Sequence, residues 1–195
     1  MRNANISRET NETKIKLTLS LDGAGTSRAD TGVGFLDHML TLFAAHGRFD
    51  LNVNCTGDLK VDAHHTVEDI GIALGQAFNK SLGDRRGITR YGSFTLPMDE
   101  ALVLVALDIS GRAYLNYDLK LPYQSIGAMD VELIEEFFLG FVRSACITLN
   151  IKQLEGKNAH HIIEAAFKCF GRAMAQAVTI DERLGGEILS TKGIL

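Results

Sequence analysis

The chain has 195 residues, of which 46% are hydrophobic and 23% charged, and its formal net charge is −4. This size and composition suffice for a full hydrophobic core. The acidic balance argues against a nucleic-acid partner held by bulk electrostatics. Three cysteines without Cys-x-x-Cys spacing argue against a disulfide framework and fit a reducing compartment. With no apolar signal core and no membrane-length apolar run, we expect a cytoplasmic protein without a membrane partner.

The first half of the chain alternates between strand and helix patterns. Residues 13–22 alternate apolar and polar side chains, which predicts a half-buried strand. Residues 36–45 have apolar residues at helical spacing, and a short strand is predicted at 50–55. A helix is then expected from His64 to about residue 82, where Gly83 ends it.

The second half follows the same order. Strands are predicted at 91–96, 102–109 and 113–119, the middle one apolar enough to be buried on both faces. A helix capped by Asp130 is expected to reach about residue 145, followed by a strand at 147–151 and a helix from His160. Leu51-Asn52-Val53 matches Leu149-Asn150-Ile151, which supports a repeat. Because no Pro/Ser-rich linker separates the two halves, we interpret residues 1–195 as one fused α+β domain. Its repeat halves are approximately residues 1–86 and 87–195.

Two histidine pairs are the most informative feature of the sequence. His64-His65-Thr66-Val67-Glu68 is repeated 96 residues later as His160-His161-Ile162-Ile163-Glu164, and these pairs contain four of the six histidines. On a helix, the glutamate of each copy lies beside both imidazoles. Imidazole and carboxylate together are ligands for a first-row divalent metal, so the duplication predicts two metal ions. A single pair would also fit one core histidine and one solvated histidine.

Neighbouring residues on a helix diverge by roughly 100°, so the two histidines of a pair are expected to bind different ions. Each ion would then take one imidazole from each half. His38, on the preceding helix, is a candidate further ligand, although a partly buried polar residue fits there equally well. Its counterpart in the second half, 98 residues later, is Glu136. His46 has no counterpart and is interpreted as structural.

Several cationic and hydroxyl side chains suggest recognition of an oxyanion. Arg90 and Arg112 lie beside strand ends, and Lys168 lies one helical turn after Glu164. The tail segment Ser190-Thr191-Lys192-Gly193 adds hydroxyls and an ammonium group, which suit a phosphate or carboxylate. Solvated surface arginines and a fraying terminus are the alternatives.

Five motifs together make the chain resemble the imidazoleglycerol-phosphate dehydratase family. They are Gly32-Val33-Gly34-Phe35-Leu36-Asp37-His38-Met39-Leu40, Asp62-Ala63-His64-His65-Thr66-Val67-Glu68-Asp69-Ile70-Gly71, Pro97-Met98-Asp99-Glu100-Ala101, Gly156-Lys157-Asn158-Ala159-His160-His161 and Ser190-Thr191-Lys192-Gly193. The resemblance implies an α+β fold, a tandem duplication of a unit similar to the second domain of ribosomal protein S5, with a sheet and two helices per half. It also implies a homo-oligomer of 24 subunits with two Mn²⁺ per active site, between subunits.

The resemblance also implies roles for individual residues. One ion would be held by His38, His65, Glu68 and His160, and the other by His64, His161, Glu164 and the residue at 136, where many members have histidine instead of Glu136. Glu12 is the implied base and Asp99 a second candidate; His64 and Glu164 are included with them as catalytic. The implied phosphate ligands are Arg90, Arg112, Lys168, Ser190 and Lys192.

The implied reaction is the dehydration of D-erythro-imidazole-glycerol phosphate to imidazole-acetol phosphate in histidine biosynthesis. Its difficulty is that the proton leaves a carbon with no adjacent carbonyl group. Metal ions at the ring nitrogens would favour an imidazolate that can expel the neighbouring hydroxyl. Two other functions remain open from the residues alone: a dinuclear metallohydrolase, and a non-enzymatic metal-binding assembly protein.

Overall fold

A computed structural model describes residues 2–121 and 124–195 of the chain. The elements of the first half, in chain order, are β1 Asn3–Glu9, β2 Thr13–Ser20, β3 Ser27–Asp30, α1 Gly34–Gly47, β4 Asp50–Gly57 and α2 His64–Leu82. Its four strands form one sheet with the strand order β1-β2-β4-β3. Strands β1, β2 and β4 pair antiparallel, while β3 runs parallel to β4.

The second half repeats this arrangement with the strand order β5-β6-β10-β7. Its elements are β5 Tyr91–Met98, β6 Ala101–Asp108, β7 Tyr114–Asp118, the small hairpin of β8 Ser125–Ile126 and β9 Met129–Asp130, α3 Leu133–Ala145, β10 Thr148–Glu155 and α4 Ala159–Val178. A turn of 3-10 helix, Glu182–Leu184, begins the tail. The sheet again has one parallel pair, β7 with β10. The predicted tandem duplication of an α+β unit is confirmed.

The helices pair across the two halves: α1 packs against α4, and α2 packs against α3. Glycines make these close approaches possible, since a Cβ on Gly71 would lie 2.3 Å from the Phe137 carbonyl oxygen and one on Gly171 would lie 2.6 Å from that of Phe43. Gly75 likewise faces Phe141, four residues after Phe137, so α2 and α3 run in the same direction. This pairing fixes which ends of the helices meet.

Two local predictions are wrong. Strand β6 alternates buried and half-buried residues, so helices cover one of its faces only, not both. Asp130 does not cap α3: it lies in β9, and the helix begins at Leu133 with Glu132 in the N-cap position and no side-chain cap. Within the described ranges, no helix is both long enough and apolar enough to cross a membrane.

Candidate active site

One candidate site, cluster A, consists of His38, His160 and Glu164, and it lies where α1 meets α4. Asn158 caps α4 by accepting hydrogen bonds from the backbone N–H groups of His160 and His161. This cap places His160 in the first turn of the helix, with Glu164 one turn later. The Nε2 atoms of His160 and His38 lie 3.2 Å and 3.4 Å from the same oxygen, Oε2 of Glu164.

The other carboxylate oxygen of Glu164 has a partner of its own. Lys168, four residues later on α4, places its Nζ 2.6 Å from Oε1 of Glu164. Burial by itself would raise the pKa of Glu164, but the hydrogen bonds from Lys168 and His38 outweigh it and lower the pKa. Glu164 therefore stays ionised while only 10% of its side chain is exposed.

Cluster A fits a divalent cation. Each of its three residues offers one ligand atom, and these atoms all lie within 4.8 Å of one another. Among the residues that the structure describes, no other group of three histidine, cysteine or carboxylate residues meets this criterion. Bonds of about 2.0–2.4 Å place neighbouring ligand atoms of an octahedral site roughly 2.8–3.4 Å apart, as the Glu164 contacts are. Two imidazoles and one carboxylate suit a first-row divalent ion.

A second candidate site, cluster B, consists of His64, Glu68 and Glu136 and lies where α2 meets α3. His64 Nε2 is 3.9 Å from Glu68 Oε2. Gly140 packs against the backbone of Glu68, and Glu136 lies one turn before Gly140 on the same face of α3. Because α2 and α3 run in the same direction, Glu136 lies at the level of His64 and Glu68. Cluster B is thus the counterpart of cluster A.

A cavity of about 180 Å³ opens beside His64. Its lining includes Asp62, Asp130 and Glu132, so the surroundings of cluster B are acidic. The cavity lies between the loop that precedes α2 and the segment that leads into α3. It gives cluster B more open space and more negative charge than the helix pair alone would provide.

In each pair, the second histidine contacts different residues from the first. The rings of His64 and His65 have centroids 6.2 Å apart, and those of His160 and His161 are 6.3 Å apart, nearly perpendicular in both pairs. His65 lies 3.0 Å from Asp58 through Nδ1 and 3.7 Å from Glu12 through Nε2. The histidines of a pair diverge, as expected for adjacent residues of a helix.

His161 repeats this pattern with carboxylates from another part of the repeat. Its Nδ1 lies 2.7 Å from Glu100 Oε2, and its Nε2 lies 3.7 Å from Asp99 Oδ2. The hydrogen bond to Glu100 raises the pKa of His161 and lowers that of Glu100 to about 2. The hydrogen bond to Asp58 raises the pKa of His65 in the same way. In both halves a carboxylate at Nδ1 fixes the imidazole, and Nε2 lies 3.7 Å from a second carboxylate, beyond hydrogen-bond distance.

Asp58 and Glu100 were missed as candidate site residues by the sequence analysis. The hairpins β1–β2 and β5–β6 have the same register, with Glu9 opposite Lys14 and Pro97 opposite Leu102. Glu100 is therefore the counterpart of Glu12, and alignment of these two hairpins would have found it. Asp58 could not be found in this way, because its counterpart 98 residues later is Gly156.

The ligand sets implied by the resemblance are only partly brought together within one chain. His38 and His160 do meet, but the nearby carboxylate is Glu164 and not Glu68. His65 and Glu68 lie on α2, which packs against α3. His161 faces Glu100 rather than His64. The two four-residue sets thus remain a prediction that needs residues from more than one subunit.

The predicted phosphate ligands fall into two places. The Arg90 guanidinium is bound to Asp108 at 2.7 Å and 3.0 Å and donates to the Leu189 carbonyl at 2.8 Å, next to Ser190. Arg112, with 68% of its side chain exposed, lies 4.0 Å from the same carboxylate. The backbone N–H of Arg90 donates to Ala177, nine residues after Lys168 on α4, or roughly 13 Å along the helix axis. Lys168 therefore lies beside cluster A, paired with Glu164, while the arginines and Ser190 gather at the tail, which also contains the exposed Lys192.

Comparison with known proteins gives one consistent family. Residues 31–174 match the family model for imidazoleglycerol-phosphate dehydratase. The imidazoleglycerol-phosphate dehydratases of Acetivibrio thermocellus and Methylobacillus flagellatus are both 57% identical to the chain. The former match covers 97% of each protein, and the latter covers 100% of this chain and 98% of its relative.

Solved structures agree with the sequence matches. The crystal structure of the dehydratase from Staphylococcus aureus superposes with a TM-score of 0.84 at 41% identity, covering 92% of this chain and 99% of that one. The crystal structure of the Pyrococcus furiosus enzyme in complex with (S)-C348 has a TM-score of 0.84 at 40% identity, covering 97% and 100%. The chain, with its two histidine pairs at equivalent places in the two halves, belongs to the imidazoleglycerol-phosphate dehydratase family of hydro-lyases.

Proposed function

We propose that the chain dehydrates D-erythro-imidazole-glycerol phosphate to imidazole-acetol phosphate in histidine biosynthesis, as a cytoplasmic enzyme with two Mn²⁺ per active site. The observation that carries the proposal is the duplicated His-His-x-x-Glu segment, whose copies begin α2 and α4 at equivalent places of the repeat. Family membership supports the reaction, the converging donor atoms of cluster A support one metal, and the repeat supports a second metal at cluster B.

The residues of the two clusters are suited to hold the ions. His38, His160 and Glu164 converge within one chain, and His64, Glu68 and Glu136 occupy the corresponding place on the other helix pair. The Nε2 atoms of His65 and His161 each lie 3.7 Å from a carboxylate, beyond hydrogen-bond distance, so both can still bind an ion at a site completed by a neighbouring subunit. When bound, divalent ions stabilise negative charge on a substrate imidazole.

Other residues supply substrate binding and proton transfer. Arg112 is exposed enough to reach a phosphate, and Arg90, Ser190 and Lys192 lie in the same region. Glu12 has half of its side chain exposed and lies 3.7 Å from His65 Nε2, so it can accept a proton from a substrate carbon held there. Asp99 is the second candidate, because its carboxylate also lies 3.7 Å from a histidine Nε2, that of His161.

The assembly is part of the same proposal. Cluster A supplies three ligand residues, and the second histidine of each pair contacts other carboxylates instead. Complete sites therefore require surfaces from more than one copy of the chain, which fits a homo-oligomer of 24 subunits with metals at the interfaces. No nucleic acid or membrane is involved.

Turnover of the substrate tests the function directly. Purified protein loaded with Mn²⁺ should convert imidazole-glycerol phosphate to a ketone, and the gene should rescue a histidine auxotroph that lacks the dehydratase. Replacing His64 or His161 by alanine should abolish this activity and lower the bound Mn²⁺ in a folded protein. His46→Gln is the matched control, since His46 lies outside both clusters and should keep the metal. No ketone from the metal-loaded wild-type protein would refute the proposal.

A further inference from the structure

A buried polar network lies beneath the hairpin that contains Glu12. Asp69, only 7% exposed, accepts hydrogen bonds on Oδ1 from Nε and Nη2 of Arg8, at 3.0 Å and 2.6 Å. Its Oδ2 accepts the hydroxyl of Thr13 at 2.5 Å, and Thr13 is 1% exposed. A buried carboxylate needs such partners, and each of its oxygens has one.

The donor and the acceptor of each hydrogen bond in the network can be assigned. The Thr13 hydroxyl has a single proton and gives it to the Asp69 carboxylate, which can only accept. The Thr10 hydroxyl, 3.3 Å away, must therefore donate to Thr13. The oxygen of Thr10 in turn accepts the backbone N–H groups of Glu12 at 3.2 Å and Thr13 at 3.0 Å. Hydrogen bonds thus connect the backbone of Glu12 to Asp69 on α2.

These hydrogen bonds join the β1–β2 hairpin, which carries Glu12, to α2, which carries His65. Asp69 lies one turn after His65 on α2, while Glu12 lies at the end of the β1–β2 hairpin. The described contact of the Glu12 carboxylate is its 3.7 Å approach to His65. The place of that carboxylate consequently depends on how the hairpin backbone is held to the helix.

The second half shows that the fold does not need these polar groups. The residues at the corresponding positions are all apolar: Leu96 for Arg8, Met98 for Thr10, Ala101 for Thr13 and Ala165 for Asp69. The equivalent hairpin packs on the equivalent helix there with no polar group at any of these four positions. Because the second half folds without these polar groups, folding alone does not explain why the first half buries a carboxylate.

The carboxylates at the two hairpin ends explain the difference. Glu100, the counterpart of Glu12, is held directly by its side chain, since it accepts the N–H of Asn158 at 2.8 Å and approaches His161 Nδ1 at 2.7 Å. In the first half Asp58 takes the place at the imidazole Nδ1, so Glu12 is released from that task. Glu12 then needs another means of being positioned.

We propose that Asp69, acting through the hydroxyls of Thr13 and Thr10 and fixed by Arg8, is a positioning residue that holds Glu12 in place for proton transfer. The inference rests on the proposed function, in which Glu12 is the base. Asp69 touches no reacting atom. Its effect is on the geometry of Glu12 alone, so it should change kcat while leaving KM and metal binding as they are.

The first experiment replaces the four polar residues of the network by their counterparts in the second half. The variant Arg8→Leu, Thr10→Met, Thr13→Ala, Asp69→Ala removes every polar member and introduces side chains that the same fold position already accepts in the second half. We expect a folded, Mn²⁺-loaded protein whose kcat is about 10- to 100-fold lower, with KM unchanged. Wild-type kcat in this folded variant would overturn the proposal.

A single substitution tests the proposal even if the four-residue variant does not fold. Thr13→Val keeps the shape and the Arg8–Asp69 pair but breaks the connection, so kcat should fall about tenfold. Thr13→Ser restores the hydroxyl and should recover most of the loss. Thr18→Val, the same change at an exposed place on β2, is the matched control. In a Glu12→Gln background, Thr13→Val should cause no further loss, whereas independent losses would contradict the proposal.

Amide hydrogen exchange separates this inference from the proposed function. If the wild-type protein produces no ketone, the proposed function fails, yet the positioning of the hairpin is still measurable. The backbone N–H groups of Glu12 and Thr13 should exchange faster in Thr13→Val than in the wild type or in Thr13→Ser. Equal exchange rates in all three proteins would show that the network does not hold Glu12.

Discussion

Clusters A and B occupy equivalent places in the repeat but differ in charge. Cluster A has two imidazoles and one carboxylate, and Lys168 pairs with that carboxylate at 2.6 Å, so the group is neutral. Cluster B has one imidazole, His64, and two carboxylates, Glu68 and Glu136. Its counterpart of Lys168 is Ile72, so cluster B has two uncompensated negative charges.

The difference separates two ways of preparing a cation site. In cluster A, Glu164 is 10% exposed and already held by three side chains, so its geometry is set before an ion arrives. In cluster B, Glu68 is 36% exposed and its approach to His64 is 3.9 Å, which is longer than a hydrogen bond. Cluster A should therefore depend on geometry, and cluster B on charge.

The largest effect is expected at the centre of cluster A. Glu164→Gln removes the carboxylate on which His38, His160 and Lys168 converge and leaves Lys168 without its counter-charge. Activity should fall at least about 100-fold, with a matching loss of bound Mn²⁺. Steady-state kinetics and metal analysis of the purified variant measure both. Glu155→Gln, an exposed change at the end of β10, is the control and should bind metal normally.

Removal of the metal should loosen the assembly. Ligands that come from different copies of the chain link those copies only while an ion is bound. Chelation should lower the mass measured by light scattering, and added Mn²⁺ should restore it. A monomer that keeps two tightly bound ions would contradict the shared sites, and so would an assembly that keeps its mass after complete metal removal.

Much of the fold follows from sequence pattern because the repeat is regular. The apolar stripes of α1, α2 and α4 have helical spacing, and the alternation in β2 places Ile15, Leu17 and Leu19 in the core. Strand β1 was not predicted, because its outward positions are polar and few of its residues are buried. Strand β3 has only four residues, which is too short for a clear alternation. Asp130 is a good capping residue by type, but tertiary pairing in β9 takes it out of the helix.

The site was predicted less completely than the fold. Spacing identified the histidine pairs and Glu136, because both lie on long elements that repeat at a fixed offset. The pairing of α2 with α3 depends on the close contact of Gly71 with Phe137, 66 residues later. The pairing of α1 with α4 depends on the contact of Gly171 with Phe43, 128 residues earlier. Periodicity within one element contains no information on such contacts. Asp58 was missed because the two halves supply the Nδ1 carboxylate from different positions.

A smaller effect is expected from Glu136. Glu136→Ala removes one of the two uncompensated carboxylates of cluster B and should weaken one Mn²⁺ site about 10- to 100-fold while leaving the other intact. Glu136→His should restore most of the loss, because imidazole also binds Mn²⁺ but contributes no negative charge. Titration with Mn²⁺ compares the three proteins. Glu135→Ala, its exposed neighbour on α3, is the control. Two equally tight sites in Glu136→Ala would remove Glu136 from the ligand set.

The smallest effect is expected when cluster A is given the residue found in cluster B. Lys168→Ile introduces the counterpart residue, Ile72, and leaves the nearly buried Glu164 without its 2.6 Å partner. Loss of a charged hydrogen-bond partner should lower the free energy of unfolding by about 1–3 kcal/mol in the metal-free protein. Bound Mn²⁺ would replace Lys168 as the counter-charge, so the loss should shrink when the metal is present.

Thermal unfolding of the wild type and Lys168→Ile, each with and without Mn²⁺, measures this difference. Lys14→Ile is the control, because the Lys14–Glu9 pair also spans 2.7 Å but both side chains are more than 60% exposed. An exposed pair of this kind contributes little to stability because solvent screens both charges, and its removal should not depend on metal. If Lys168→Ile destabilises the metal-loaded and metal-free proteins equally, Lys168 is not the counter-charge that distinguishes cluster A from cluster B.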